Sequence, residues 1–302
     1  MARHTLSNRK AHNMLIAIVL ELVPAAPVVL PATLGRAVQA WLLARVQQID
    51  PDLAARLHDG DGPRPYTCSD LIHGARRSGG RVRLTPQDRC WLRFTGLEDE
   101  TCAGLLRATT PERAAPPQGP GGVAGEEAFV ELEAGARLRV RARYTEASEH
   151  PWAGRDDYMT LLQQHVMGSG PGPARADLHF GSPTIFRSRG LHVPIPMPDL
   201  VFGSYFFRWN HFAPVSLPYE ARQYPRESVA VGEYKLRTRD VRLGRVYTGF
   251  EGDVRFEFVG QDERLARTME MLAHYAFWCG TGYRTTSGMG QTMWGGVGAS
   301  TE

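Results

Sequence analysis

The sequence predicts an α+β protein of two ferredoxin-like (RRM-like) units in tandem, each ordered β-α-β-β-α-β. Three observations carry this. The 302 residues exceed the ~100–200 of one ordinary domain. Period-two and helical apolar spacing alternate along the chain, and the same order of elements occurs twice. Apolar residues make up 42 % and charged residues 22 %, a globular composition that excludes a disordered or fibrous chain.

In the first unit, residues 1–150, Met14–Val23 reads as a strand. Arg3, Arg9 and Lys10 before the apolar run Met14–Leu20 imitate a secretory signal, but Glu21 interrupts the run and a helical pattern soon follows. Residues 33–48 form that helix, with Thr33 as N-cap and Leu34, Val38, Trp41, Leu42 and Val46 as its stripe. Asp50-Pro51 starts a short helix that ends near His58. Strands follow at Pro65–Ser69 and Arg81–Leu84, with Cys90–Thr95 as their partner, then a helix over Glu98–Arg107. Residues 108–125, rich in Pro, Gly and Ala, are a loop, and Phe129–Tyr144 is the closing strand.

The second unit, residues 151–302, repeats the order after a linking helix at Asp156–Val166. Leu178–Ile185 is a strand, and Asp199–Phe212 is a helix with Phe202, Phe206 and Trp209 on one face. Strands are expected at Val229–Arg239 and Val254–Val259. Asp262 caps a helix from Glu263 to Trp278, and Gln291–Trp294 closes the sheet. No stretch reaches the ~18 apolar residues of a membrane span, so a protein of the cytoplasm without membrane contact is expected. Cys68, Cys90, Cys102 and Cys279 show no C-x-x-C spacing, which speaks against a zinc ribbon or disulfide framework and fits a reducing compartment. With no paired His/Cys cluster in the sequence, neither a metal site nor a cofactor is expected.

Net charge is only +3, but all but two of the 35 basic residues are Arg, the exceptions being Lys10 and Lys235. Arg suits phosphate and base stacking, whereas Lys is a point charge. Arg137, Arg139, Arg141 and Arg143 alternate with apolar residues, so a regular strand would present all four on one face, ~6.6–6.8 Å apart. Lys235, Arg237 and Arg239 repeat the device, and Arg76, Arg77, Arg81 and Arg83 add a basic loop. Charge segregated in this way points to a nucleic-acid-facing side.

After the last helix, Gly280, Gly282, Gly288 and Gly290 enclose Tyr283, Arg284, Thr285, Thr286 and Ser287. The spacing fits neither a dinucleotide fingerprint nor a Walker loop. Backbone N–H groups and Arg284 could hold a phosphate chain there.

The segment AFWCGTGYRTTSGMGQ (276–291) resembles the glycine-rich loop of the CRISPR-associated RAMP endoribonucleases that process precursor CRISPR RNA. LAARLHDGDGPRPYTCS (53–69) resembles their His-bearing block, and SPTIFRSR (182–189) and DLVFGSYFFRWNHFAP (199–214) resemble their second-domain strand and helix. The resemblance implies tandem ferredoxin-like domains and metal-independent cleavage by 2′-OH attack, giving a 2′,3′-cyclic phosphate and a 5′-OH. It assigns catalysis to His58 and charge neutralisation to Arg64. It implies CRISPR repeat RNA, precursor and mature guide, as partner, with effector-complex subunits as further candidates. Some members carry a Tyr where this chain has Leu43; Tyr66 or water is the candidate substitute, and a non-catalytic RNA-binding subunit is the alternative. His73, His179, His192 and His211 are read as packing or surface histidines.

Overall fold

The computed structural model describes residues 14–59, 62–110, 128–168 and 172–295. Strand β1 (Met14–Pro24) is apolar on both faces because both are covered. Ile16, Ile18, Leu20 and Leu22 enter the core of the first unit, while Leu15 and Ala17 join that of the second. Arg3, Arg9 and Lys10 lie outside the described residues.

After β2 (Val28–Pro31) come α1 (Gly35–Ile49) and α2 (Pro51–Asp59). Val38, Leu42 and Val46 form the buried stripe of α1, and Leu53, Ala54 and Leu57 that of α2. The Asp50 carboxylate accepts the Leu53 N–H at 3.0 Å, as its sequence position predicts. Thr33 does not cap α1. The N-cap is Leu34, and its N–H donates 2.7 Å to the buried carboxylate of Asp70.

The unit continues with β3 (Tyr66–Cys68), β4 (Ile72–His73), β5 (Arg77–Ser78), β6 (Arg81–Leu84), β7 (Cys90–Gly96), α3 (Asp99–Ala108), β8 (Phe129–Leu132), β9 (Ala136–Tyr144) and β10 (Gly154–Asp157). The main sheet runs β3-β7-β1-β9-β8, which contains the ferredoxin-like order. Arg81–Leu84 does not pair with the Cys90 strand. It joins β2 and β5 in a small separate sheet. Phe129–Tyr144 is not one strand but a hairpin that turns at Gly135, where φ is 69°. The loop expected over 108–125 lies mostly outside the described residues. β10 pairs with β1, so a division at residue 150 would cut β10 from its own sheet. The expected linking helix therefore starts after Asp157, whose carboxylate accepts the Thr160 N–H at 2.8 Å.

The second unit comprises α4 (Tyr158–His165), β11 (Arg175–Thr184), β12 (Phe186–Ser188), β13 (Leu191–Val193), α5 (Pro198–Phe212), α6 (Glu220–Ser228), β14 (Val229–Leu243), β15 (Arg245–Phe258), α7 (Glu263–Cys279) and β16 (Thr292–Trp294). Its sheet, β14-β15-β11-β16, repeats the strand order of the first. The two units are therefore copies of one topology. β14 and β15 pair over their whole length and turn at Gly244, far beyond the expected strand end at Arg239. α6 lies outside the elements expected from the sequence; it has Pro225 inside it and buries Ala221, Tyr224 and Pro225 on one face.

Arg93 joins the units. It is 1 % exposed, and its guanidinium donates to Trp152 O, Phe277 O and Gln291 Oε1 at 2.7–2.8 Å. The rings of Trp152 and Phe277 flank it, and burial pushes its pKa down to about 9. No helix among the described residues is long and apolar enough to cross a membrane.

Candidate active site

The amphipathic pattern of α2 turns His58 outward. Leu57 is buried, whereas the His58 side chain is 72 % exposed. Its Nδ1 stands 2.6 Å from Asp59 Oδ1. A carboxylate only accepts, so in the neutral ring this nitrogen carries the proton and Nε2 the lone pair. Past the helix end, Gly62 takes φ 94° and leads through Pro63 to Arg64, which is half-buried.

Tyr66 does not replace the missing tyrosine. It is buried, its hydroxyl accepts from Gln39 Nε2 at 3.0 Å, and burial raises its pKa. Gln39 Oε1 in turn accepts from Ser287 Oγ at 2.8 Å. Tyr66 thus belongs to a link between β3, α1 and the glycine-rich loop. Leu43 packs against the first core.

Gly280, Gly282, Gly288 and Gly290 all have positive φ, from 64° to 94°. A Cβ on Gly290 would collide with the carbonyl oxygen of Thr281, and one on Gly282 with that of Ile185. The loop spends most of its backbone donors on protein, which corrects the expectation that they face a phosphate chain. Thr281, Tyr283, Gly288 and Gly290 donate to Gly290, Ile185, Cys68 and Pro183 carbonyls respectively. Cys68 N–H also donates to Thr285 O, so the loop covers the open edge of β3. Arg208 of α5 holds the loop from the other side, donating to Gly282 O at 2.8 Å. Arg284, at φ 64°, lies over the rings of Tyr247 and Tyr283. Tyr247 accepts from Arg245 Nε at 2.8 Å, and this bond lowers its pKa. His192 stacks on Tyr283, completing an aromatic and basic cluster of which the sequence showed only two members.

The basic strands divide. β1 pairs Glu21 with Ala142 but Leu22 with Val140, so Arg141 sits in a β-bulge. The bulge reverses the face of everything beyond it. Arg143 consequently points at the helices, where it donates to Leu106 O and Thr109 Oγ1 at 3.1 Å and closes the C-terminal end of α3. Arg137 and Arg139 share the opposite face; Arg137 pairs with Glu131 and lies over Phe129, and Arg141 is exposed. On β14, Arg237 and Arg239 both donate to the buried carboxylate of Glu251, at 2.8 and 2.9 Å, while Lys235 is exposed opposite Asp253. Arg237, Arg239, Arg77, His73 and Trp91 line a cleft of about 380 Å³ between the two sheets.

Among the described residues, His165, Glu270 and His274 bring ligand atoms within 4.8 Å of one another. His274 is sandwiched between His165 and Trp294, with ring centroids 4.1 and 4.0 Å apart. Near-parallel stacked imidazoles hold their in-plane lone pairs in separate planes, a poor arrangement for convergence on one ion.

Two sequence-family models match the chain: the CRISPR Cas6 N-terminal domain over residues 14–108, and the CRISPR-associated endoribonuclease Cas6 over residues 178–292. A search of curated protein sequences returns no match. Among solved structures, two Cas6 product complexes are each 26 % identical to it, with TM-scores of 0.72 and 0.69. In both cases 93 % of this chain and 99 % of the other are covered. Thermus thermophilus Cas6, at 24 % identity, TM-score 0.67 and coverage of 94 % and 99 %, shares the fold.

Proposed function

The chain belongs to the Cas6 family of CRISPR-associated endoribonucleases, and on that premise we propose that it cuts CRISPR repeat RNA in precursor transcripts by a metal-independent route. A ribose 2′-OH attacks the adjacent phosphate, leaving a 2′,3′-cyclic phosphate and a 5′-OH. The observation that carries this reading is His58, exposed at a helix end with Nδ1 against Asp59 and Nε2 free to accept the 2′-OH proton. Arg64, six residues on, supplies positive charge for the phosphorane. Holding the nucleophile in line with its leaving group is the rest of the chemistry, and it falls to the binding surface.

Arg137, Arg141 and Lys235 offer exposed charge for the RNA backbone, and Tyr283 and Arg284 offer stacking and charge beside the glycine-rich loop. The protein acts in the cytoplasm and binds precursor and mature guide RNA, with effector-complex subunits as further candidate partners.

The test is incubation with repeat RNAs of the source genome, followed by mapping of the cut and its end chemistry. Cleavage at one position with a cyclic phosphate, unaffected by EDTA and lost about 10²–10⁴-fold in His58→Ala, is expected. A His58→Ala protein that cuts at the normal rate overturns the assignment. Tight binding without any cut would identify a non-catalytic RNA-binding subunit instead.

A further inference from the structure

In-line cleavage moves two protons. One leaves the 2′-OH, and another must reach the 5′-oxygen as it departs. His58 accounts for the first, and the tyrosines near it do not account for the second. Leu43 is apolar and Tyr66 is buried against Gln39.

The second unit brings a proton-carrying side chain beside the His58 segment. Gly62 lies between His58 and Arg64 in sequence, and a Cβ built on it would stand 3.8 Å from His211 Cε1. The imidazole of His211 therefore lies beside Gly62, in the segment that joins His58 to Arg64. It is exposed, rests edge-on against Phe212, and makes no hydrogen bond among the described residues. It occupies the last turn of α5. One turn earlier on the same face, Arg208 grips the glycine-rich loop, so α5 fixes both the ring and the loop.

We propose that His211 is a catalytic residue of this enzyme, the general acid that protonates the leaving 5′-oxygen. The inference rests on the proposed His58 mechanism. His58 Nε2 takes the 2′-OH proton as the O2′–P bond forms; the P–O5′ bond then breaks, and O5′ takes the proton from His211. Cyclic phosphate and 5′-OH leave, with His58 protonated and His211 neutral, and exchange with water resets both. His58 is suited to the base role because Asp59 fixes its tautomer, whereas His211 has no carboxylate partner among the described residues. The site is thus shared between the units, and neither half holds a complete proton relay. The structure bears out His211 as a surface histidine, and the proposal adds a role to that position.

Single-turnover cleavage by wild type, His211→Ala, His211→Gln and His58→Ala separates the possibilities, with RNA binding measured in parallel. Both His211 variants are expected to bind repeat RNA normally and to cut it about 10²-fold or more slowly. A repeat carrying sulfur in place of the scissile 5′-oxygen supplies a thiolate leaving group that needs no proton. On it, His211→Ala is expected to recover to within about tenfold of wild type while His58→Ala does not. Cleavage of ordinary RNA by His211→Ala within about threefold of wild type overturns the inference, as does failure of the sulfur substrate to rescue it. Undiminished cleavage by His58→Ala instead overturns the underlying mechanism, a distinct result.

Discussion

Arg93 reaches from β7 into the second unit and donates to Gln291 Oε1 at 2.7 Å. Two carbonyls and two aromatic rings complete its surroundings, so a cation sits in the middle of the contact between the units. Arg93→Met is expected to remove the cost of burying charge but leave three acceptors unpaired. The net loss is about 3 kcal/mol, read from the urea midpoint. Unchanged stability would show that the apolar part of the interface suffices.

Arg141 and Arg143 are two residues apart, and the bulge between β1 and β9 gives them different work. Arg141→Ala is expected to reduce the slope of log affinity against log salt by about 0.7, the loss of one phosphate contact. Arg143→Ala is expected to leave the slope unchanged and to cost about 1 kcal/mol through the end of α3. Filter binding across a salt series, with thermal melts alongside, distinguishes the two.

Much of this architecture is legible in the sequence because period-two and helical spacing survive in most of the main elements. The bulge is not. Arg137 to Arg143 alternates perfectly in sequence, and only the register against Glu21 and Leu22 shows that the strand slips there. The role of the glycines is half legible. Their number signalled close backbone approach, but not that the approaching backbone is that of Cys68 and Ile185. The proposed catalytic pair, His58 and Arg64, is local in sequence, and its block singles it out. His211 is some 150 residues from them, and a lone histidine in an aromatic helix carries no trace of its neighbour.

Gly290→Ala is expected to destabilise the fold by about 3 kcal/mol, because a left-handed φ of 70° and a collision with Thr281 O act together. The same change at Gly79, which meets nothing within 4 Å, is expected to cost about 1 kcal/mol from its φ of 55° alone. Equal losses in a denaturant titration would argue against the loop's role as a clasp.

Burial, with the adjacent His165 adding to it, holds the His274 imidazole down to about 3. Its folded value lies below the unfolded one of about 6.5, so the unfolded chain binds more protons between these pH values. Stability is therefore expected to be flat above pH 6.5 and to fall as pH drops below it, by about 2 kcal/mol at pH 5 from this residue. His274→Gln is expected to flatten that part of the profile. An unaltered slope would place the acid sensitivity elsewhere.

The clasp between Cys68 and the loop of residues 285–288 also sets an order of events during synthesis. Strand β3 is translated more than 200 residues before the segment that covers its edge. At ~5–20 residues per second the ribosome leaves that edge uncovered for roughly 10–40 s. The first unit thus emerges with an open flank that is covered once residues 285–288 have been made. A transcript truncated before Gly280 would leave it exposed for good, which makes incomplete chains ready substrates for aggregation or proteolysis.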